Sequence, residues 1–269
     1  MLKWREYIMR IFATSDVHGY FSIWKQALDE AQINFEQGDK LIVLGDLIDR
    51  GSESFECLQH ALNLKNTYNN QVEILMGNHE YMFLQVAEMM KQYEELCAKE
   101  ATFNEKEKQE METFLTNFKA AKERWLKNGG EETLQSFHKH IGGSNETETT
   151  LLAYSYFEPY FKSVKDYHIE DRFAFVHGGF VSNVPLAEQQ LEKIVWNREY
   201  EPFIAGEGLE DKIMIHGHTP VKYLDENAVG IYRGEHHIGI DGGVAIDRHL
   251  TIYNVTEDTY KIYEIKKVK

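Results

Sequence analysis

The chain has 269 residues, of which 42% are hydrophobic, so it carries enough apolar material for one large domain with a sizeable core. Its formal net charge of −15 argues against general nucleic-acid binding, because few cations remain to displace counterions from a phosphate backbone. The two cysteines cannot form a disulfide framework, and no apolar run approaches the roughly 18 residues that a membrane-spanning helix needs.

The N-terminal stretch MLKWREYI is too short and too polar for a signal peptide. A second methionine stands at position 9, so we interpret the first eight residues as a peripheral extension. Together with the low cysteine count, these features lead us to expect a cytoplasmic protein that has no membrane partner.

The chain repeats one kind of unit, a short apolar run that ends in a polar cluster and is often followed by a helical pattern. Such units lie at residues 11–19, 41–50, 72–80, 173–179, 212–220 and 237–243. The last part of the chain, residues 250–266, alternates like a β-hairpin. This order predicts an α/β layered domain, in which ligands collect at the carboxyl ends of the strands.

Between about residues 91 and 165 the sequence becomes rich in charge, and four apolar side chains recur there at helical spacing: Phe114, Phe118, Ala121 and Trp125. We interpret this stretch as a helical insertion with a solvated outer face, within a single domain that covers residues 1–269. A disordered acidic linker is the alternative for residues 99–110, and residues 142–150 are expected to form an exposed loop.

The first two polar clusters each permit a plain structural interpretation. Asp16 and His18 form a D-x-H pair, and in an extended strand both side chains would point the same way, towards one metal ion. Alternatively, Asp16 could cap a helix and His18 could be a hydrogen-bonded structural histidine. In G-D-x-x-D-R, Asp49 and Arg50 could form a surface ion pair. Asp46 is harder to explain, because a charge at the mouth of a buried strand costs several kcal/mol unless something pairs it.

The later clusters add an amide and three imidazoles. Asn78 in G-N-H-E could cap a helix, and its neighbour His79 could be structural. His177 in V-H-G-G and His218 in H-G-H-T-P could likewise be hydrogen-bonded structural residues. A metal site is favoured over these separate structural roles because side chains able to bind a metal ion occur at five strand ends.

Oxygen and nitrogen donors without thiolates suit Mn²⁺, Fe, Zn²⁺ or Co²⁺ better than Ca²⁺, and we favour Mn²⁺. Two ions about 3.5–4 Å apart need a shared ligand. Asp46 is our candidate for that ligand, since bridging two cations would compensate its burial.

Six motifs in order between Asp16 and Pro220 carry a resemblance to a known family: D-V-H-G, G-D-L-I-D-R, G-N-H-E, H-G-G, W-N-R and G-H-T-P. They resemble the phosphoprotein phosphatase family of dinuclear metallophosphoesterases, above all its bacterial and phage members, the lambda-type protein phosphatases and symmetrical diadenosine tetraphosphatases. The segment WLKNGGEETL, residues 125–134, resembles the W-x-x-N-G-G segment of those bacterial members, which argues against disorder there. The resemblance implies a metallophosphoesterase αββα sandwich, with two central sheets and a helical insertion.

The resemblance also implies a role for each matching residue. The first metal ion would be held by Asp16, His18 and Asp46, and the second by Asp46, Asn78, His177 and His218. His79 would be the general acid, oriented by Asp49. Phosphate oxygens would be bound by Arg50, Arg198 and Asn78.

The expected reaction is phosphomonoester hydrolysis by a hydroxide that bridges the two metal ions. No covalent phosphoenzyme is expected, since serines such as Ser15 lack an adjacent base. The first candidate substrate is phosphoserine, phosphothreonine or phosphotyrosine in proteins, with the serine/threonine type favoured, and the alternative is a dinucleoside polyphosphate such as diadenosine tetraphosphate. A nucleic-acid end phosphatase is disfavoured by the charge, and an inactive, partner-binding protein is the remote alternative.

Several other residues are assigned less specific roles. We expect His216 to be a core residue or a group that orients a ligand, and His236 and His237 to be a solvated loop pair. Asp241 matches a recurrent I-D-x-G segment to which we assign no role. Five aromatic residues of the insertion could stack on a nucleotide base, although packing in the core is favoured: Tyr154, Tyr156, Phe157, Tyr160 and Phe161.

Overall fold

Two five-stranded sheets form the centre of the protein. The structure is a computed structural model that describes residues 8–99, 103–201 and 203–265. The first sheet has the strand order β10-β9-β1-β2-β3. Its strands are β1 (Ile11–Thr14), β2 (Lys40–Val43), β3 (Val72–Ile74), β9 (His249–Asn254) and β10 (Thr259–Glu264). Strands β1, β2 and β3 are parallel, whereas β9 and β10 form an antiparallel hairpin, as predicted.

The second sheet has the order β4-β5-β6-β8-β7. Its strands are β4 (Tyr167–Glu170), β5 (Phe173–Val176), β6 (Ile213–His216), β7 (Tyr232–Arg233) and β8 (His237–Gly239). The central strands β5, β6 and β8 are parallel, and the edge strands β4 and β7 are antiparallel to them. The prediction of an α/β fold with two central sheets is therefore confirmed.

Eight α-helices lie in the described ranges: α1 (Phe21–Ala31), α2 (Ser54–Tyr68), α3 (Asn78–Cys97), α4 (Glu105–Trp125), α5 (Glu131–Ile141), α6 (Glu146–Tyr156), α7 (Glu158–Ser163) and α8 (Leu191–Ile194). A π-helical turn, Leu126–Gly130, joins α4 to α5. None of the helices in these ranges is long and apolar enough to cross a membrane.

Alternation along the strands divides the core into layers. In β1, Ile11 and Ala13 belong to a cluster that also contains Phe175 and Ile215 of the second sheet, so this cluster lies between the two sheets. Phe12 faces the other way, into a cluster that takes in the buried faces of helices α1 to α3 and of the insertion. A third cluster covers the outer face of the second sheet. The layers are thus helix, sheet, sheet, and a cover that includes α8.

The stretch predicted as an insertion consists of the end of α3 and helices α4 to α7. Helix α4 begins after Asn104, whose side chain accepts a hydrogen bond from the backbone of Glu107, so the linker alternative is wrong for residues 105–110. Residues 100–102, where that alternative also applied, and residues 1–7 lie outside the described part. The loop expected at 142–150 is shorter, because Asn145 caps α6 and only residues 142–145 are non-helical.

Candidate active site

The loops that follow the parallel strands bring the predicted aspartate, asparagine and histidine residues of the site together in one buried cluster, with the two predicted arginines at its rim. Six of these residues have a left-handed backbone, with φ between 47° and 70°: Asp16, His18, Asp46, Asp49, Arg50 and His218. Such conformations cost a non-glycine residue about 1–3 kcal/mol and persist only where the surrounding structure imposes them. The surrounding structure therefore imposes an unfavourable backbone conformation on these loops, and that conformation places the side chains in the cluster.

The backbone corrects our reason for grouping Asp16 with His18. Strand β1 ends at Thr14, so neither residue is part of an extended strand. Their side chains nevertheless approach each other, with 3.7 Å between Asp16 Oδ1 and His18 Nε2. They share a face because the loop turns through two left-handed residues, and the two-residue period of a strand does not apply.

Asp46 lies between two groups of histidines. Its Oδ2 is 3.7 Å from His18 Nε2 and 3.8 Å from His79 Nε2, whereas its Oδ1 is 3.3 Å from His177 Nε2. Two sets of three residues could each hold a metal ion, because the ligand atoms within each set lie within 4.8 Å of one another. The first set is His18, Asp46 and His79, and the second is Asp46, His177 and His218. Asp46 is shared by both sets, with one carboxylate oxygen turned towards each.

The imidazole tautomers suit cation binding. His18 Nδ1 is 3.1 Å from the Ile48 carbonyl oxygen, and His177 Nδ1 is 2.6 Å from that of Leu44. Because a carbonyl can only accept, each Nδ1 carries a proton and each Nε2 is available on the side of Asp46. Asn78 Oδ1 lies 3.0 Å from His177 Nε2 and adds an amide oxygen to the same side.

The electrostatics also favour a positive charge here. Burial lowers the pKa of His177, but the carboxylates of Asp46 and Asp16 outweigh it and raise that pKa to about 9. A divalent cation at His177 would satisfy the same carboxylates without the proton. The donor set of carboxylate, amide and imidazole groups, all buried, therefore fits a pair of divalent ions.

Asp16 ties the two sheets together at the site. Its Oδ2 accepts hydrogen bonds from Ser15 Oγ at 2.5 Å and from the backbone N–H of His218 at 2.9 Å. The Ser15 hydroxyl therefore donates its proton to a hydrogen bond with the Asp16 carboxylate. Asp16 belongs to neither of the two sets of ligand atoms. The resemblance implied that Asp16, His18 and Asp46 hold the first metal ion, whereas the first set contains His79 instead of Asp16.

His79 is held from one side by a carboxylate and from the other by a guanidinium. Its Nδ1 is 2.6 Å from Asp49 Oδ2, and its Nε2 is 3.0 Å from Arg50 Nη2. Burial lowers the pKa of His79, but Asp46 and Asp49 act against it, so the net pKa lies above the ordinary value. Since a guanidinium can only donate, Nε2 is the acceptor in this arrangement, and the imidazole can carry a second proton when Arg50 turns away.

Both predicted arginines lie at the rim of the cluster and are exposed. Arg50 Nη1 donates to His18 Nε2 at 2.7 Å, and Arg198 Nε donates to His218 Nε2 at 3.0 Å. A ring nitrogen cannot accept from a guanidinium and ligate a metal at once. Cation binding therefore requires these two hydrogen bonds to break. That frees Arg198 Nε and Arg50 Nη1, whereas Arg50 Nη2 still lies 3.0 Å from His79 Nε2.

Glu80 is a site residue that our motif reasoning missed. Its buried carboxylate accepts from the backbone N–H groups of Asp46 at 2.8 Å, Leu47 at 2.6 Å and Gly77 at 3.2 Å. Burial and the nearby Asp46 raise its pKa to about 7. The signal was present in the sequence, since a glutamate at the third position of a helix commonly bonds back to the N-terminal backbone.

Two further residues come from the insertion and contact Asp49. Trp125 Nε1 donates to Asp49 Oδ1 at 3.1 Å, and Thr133 Oγ1 donates to the same oxygen at 2.6 Å. The W-x-x-N-G-G resemblance pointed to this segment but assigned it no role. Asp241 is buried, and its Oδ1 accepts from the backbone N–H of Gly243 at 2.7 Å.

The expectation for His237 was wrong, although His236 is exposed as expected. His237 lies in β8, is buried, and its Nδ1 is 2.8 Å from Nε2 of His216, which is a core residue. The Tyr200 ring stacks on His216 with centroids 3.9 Å apart. A polar sequence pair at a strand start cannot indicate which of its members faces inward.

The aromatic residues of the insertion are mostly core. Phe157 and Tyr160 are fully buried, and Tyr154 and Phe161 pack partly buried against the same cluster. Tyr156 is half exposed and donates to Gln59 Oε1.

The sequence matches the family model of the calcineurin-like phosphoesterases over residues 9–255. A symmetrical bis(5'-nucleosyl)-tetraphosphatase from Chromobacterium violaceum is 37% identical over 81 residues, which are 30% of this chain and 27% of that protein. Serine/threonine-protein phosphatase 1 from Salmonella typhimurium is 40% identical over 82 residues, which are 30% of this chain and 33% of that protein. The chain thus matches about a third or less of the length of these relatives.

The fold extends the likeness over nearly the whole chain. A protein serine/threonine phosphatase from Saccharomyces cerevisiae superposes with a TM-score of 0.53, covering 97% of this chain and 81% of that chain. The sequence identity is 13%, so this likeness shows the fold alone.

Proposed function

The chain belongs to the calcineurin-like phosphoesterase family, and from that premise we propose that it is a metal-dependent phosphomonoester hydrolase of the serine/threonine protein phosphatase type. Its membership confirms the resemblance predicted from the six motifs. The single observation that carries the proposal is the position of Asp46, whose two carboxylate oxygens face two different groups of histidines. A carboxylate in that position suits two adjacent cations.

The residues that would hold the ions follow from the donor geometry. One ion would lie between His18 and Asp46, with Asp16 alongside. The other would be held by Asp46, Asn78, His177 and His218. We propose Mn²⁺, with Fe, Zn²⁺ or Co²⁺ as alternatives, since carboxylate, amide and imidazole donors suit all of them.

When bound, two divalent ions lower the pKa of a water molecule and neutralise charge on a phosphoryl group. The protein residues supply the remaining functions. Arg50 and Arg198, released from His18 and His218, would bind phosphoryl oxygens through two planar donors that remain charged at any working pH.

His79 would protonate the leaving oxygen. Its Nδ1 is fixed by Asp49, and Asp46 and Asp49 raise the pKa of His79, so Nε2 can carry the proton that is transferred once the Arg50 guanidinium has turned away from it. That nitrogen is 3.8 Å from Asp46 Oδ2, which places it beside the proposed metal pair.

We propose phosphoserine and phosphothreonine in proteins as the substrates. The exposure of Arg50 and Arg198 at the rim supports this, since a phosphate that projects from a protein surface can reach them. The burial of Phe157 and Tyr160 in the insertion leaves these two rings with no face for a nucleotide base. The two cysteines, Cys57 and Cys97, are free, in keeping with a cytoplasmic location.

Hydrolysis of a dinucleoside polyphosphate is the second candidate. The partial match to a symmetrical bis(5'-nucleosyl)-tetraphosphatase supports it. A phosphoanhydride would present the same kind of phosphoryl oxygens to the proposed metal ions and arginines. The two candidates differ in the product, which is inorganic phosphate for a phosphoprotein and ADP for diadenosine tetraphosphate.

The deciding experiment compares initial rates on a phosphoserine peptide and on diadenosine tetraphosphate, with excess Mn²⁺ and with chelator. We expect faster, chelator-sensitive release of phosphate from the peptide. Preferential formation of ADP would make the protein a nucleotide hydrolase. Inactivity on both substrates with Mn²⁺, Fe, Zn²⁺ and Co²⁺ would overturn the proposal and favour a partner-binding role.

A further inference from the structure

The insertion contacts Asp49, the fully buried carboxylate that is paired with the proposed acid His79. Trp125, the last residue of α4, donates its indole N–H to Asp49 Oδ1 at 3.1 Å. Thr133, in the first turn of α5, donates its hydroxyl to the same oxygen at 2.6 Å. The other oxygen, Oδ2, is the one that binds His79 Nδ1.

The contact also fixes the backbone of Asp49. Thr133 Oγ1 accepts from the backbone N–H of Asp49 at 2.8 Å and lies 3.0 Å from Ser54 Oγ, which itself accepts from the same N–H at 3.2 Å. One hydroxyl of the insertion therefore binds both the side chain and the main chain of Asp49. Rotation of the carboxylate away from His79 would break both bonds to Oδ1.

The hydroxyl of Thr133 is used differently from that of a threonine that serves only its own helix. Thr150 is equally buried in α6, but its Oγ1 donates to the carbonyl of Glu146, one turn earlier in the same helix. Trp125 also has packing contacts, such as the edge-to-face contact with Phe83, so its ring alone would explain its burial. The direction of its N–H towards Asp49 adds a polar role to that packing.

We propose that Trp125 and Thr133 are positioning residues for the acid His79: they hold the Asp49 carboxylate at the angle that orients the imidazole. This inference rests on the proposed function, in which His79 protonates the leaving oxygen. The helical insertion thereby contributes directly to the protonation step.

The first test uses esters whose leaving groups differ in basicity: 4-nitrophenyl phosphate, phenyl phosphate and a phosphoserine peptide. A poorly oriented acid matters most where the leaving oxygen needs a proton most. Thr133→Val should lower kcat roughly 10–100-fold on the peptide and on phenyl phosphate, but about twofold or less on 4-nitrophenyl phosphate. Thr150→Val is the matched control and should leave all three rates unchanged.

The kinetic test includes a non-additivity check. Because Thr133 is proposed to act through His79, adding Thr133→Val to His79→Asn should lower the rate no further. Equal losses on all three esters, or full additivity with His79→Asn, would make Thr133 a merely structural residue and overturn the inference. Trp125→Phe, which keeps a ring but removes the N–H, should show the same selectivity for poor leaving groups.

A second test needs no activity and so separates this inference from the proposed function. The N–H of His79 that faces Asp49 should give a downfield proton signal in the metal-free protein, assigned by its loss in His79→Asn. Thr133→Val should speed exchange of that proton with water, and Thr150→Val should not. Unchanged exchange in Thr133→Val would overturn the inference. An inactive wild-type protein with the expected exchange pattern would overturn the proposed function alone.

Discussion

At the residue scale, Asp46 combines a buried charge with an unusual backbone conformation. Its carboxylate is buried, and its pKa lies well below the ordinary value: burial raises that pKa, but His177, His79 and His18 together lower it more. The residue also has a left-handed backbone, at φ 54°. The histidines compensate the burial of the charge, whereas the left-handed backbone costs free energy in the folded protein. Such strained residues occur mainly at ligand-binding and active sites.

We predict that Asp46→Asn loses both metal ions or nearly so. The amide keeps the size of the carboxylate but removes the negative charge, and one of its two terminal atoms becomes an N–H₂ donor that repels a cation. Metal analysis after gel filtration measures the effect. Asp211→Asn, at an exposed position, is the control and should keep its metal. Two tightly bound ions in Asp46→Asn would show that the shared ligand is misassigned.

For His79→Asn we expect a 10²–10⁴-fold loss of kcat on a phosphoserine peptide, the usual range for removal of an acid catalyst. Metal content should stay close to that of the wild-type protein. The loss should be smaller on 4-nitrophenyl phosphate, whose leaving group needs no proton. If the variant instead loses one metal and its rate falls equally on both substrates, His79 is a ligand, as its place in the first histidine group would permit.

At the scale of elements, the π-helical turn between α4 and α5 docks the insertion on the loop after β2. The backbone N–H of Arg50 donates to the carbonyl of Gly129 at 3.2 Å, within that turn. Gly129 has φ 104°, which side chains rarely tolerate, and a Cβ there would lie 2.5 Å from Arg50 N. The glycine is therefore needed both for the turn and for the close approach to Arg50.

Gly129→Ala should destabilise the protein by about 1–3 kcal/mol and raise KM for phosphate esters, because the loop that carries Arg50 must move. Thermal unfolding and steady-state kinetics check the two parts. Gly142→Ala is a matched control, since Gly142 has φ 88° but a Cβ there would meet no atom within 4 Å. If both variants change KM alike, contact with Arg50 is not the reason for the effect.

At the scale of the whole molecule, the two sheets are joined at one edge around Lys165, which precedes β4. Its backbone N–H donates to Ile74 and its carbonyl accepts from Met76, both at 2.9 Å. Its side chain pairs with Glu73 of β3 at 3.0 Å, and Lys65 of α2 pairs with the same carboxylate at 2.9 Å. Glu73 thus connects a helix, the first sheet and the segment that enters the second.

This arrangement predicts a pH-dependent stability. Burial raises the pKa of Glu73, but the hydrogen bonds from Lys65 and Lys165 outweigh it, so the net pKa is lowered. A carboxyl group with a lowered folded-state pKa stabilises the protein above its unfolded-state pKa, near 4.3, and loses that contribution as the pH falls through the folded-state value. Glu73→Gln should therefore be less stable at pH 7 by about 1–2 kcal/mol.

Urea unfolding between pH 7 and pH 3 measures this contribution. The stability difference between wild-type protein and Glu73→Gln should shrink below about pH 4, where the wild-type carboxylate takes up its proton. Asp29→Asn removes an exposed pair with Lys25 and should change stability by less than about 0.5 kcal/mol. A difference for Glu73→Gln that does not vary with pH would point to packing as its cause.

The local pattern of apolar and polar residues was sufficient for much of this fold. Runs such as 72–80 and 212–220 contain strands β3 and β6, and the polar residues after them meet at one edge of the sheets. This works because strand periodicity and the placement of loops at strand ends depend on neighbouring residues. The order of six motifs was likewise enough to recognise the family.

The relations between distant segments depended on packing. That the Asp46 oxygens divide between His18 and His177, and that the insertion binds Asp49, follows from how helices and sheets pack, which no local pattern encodes. The burial of His237 was missed for the same reason. The sequence by itself identified the chemical groups of this protein, whereas their partners were set by contacts between residues that lie from 20 to 202 positions apart.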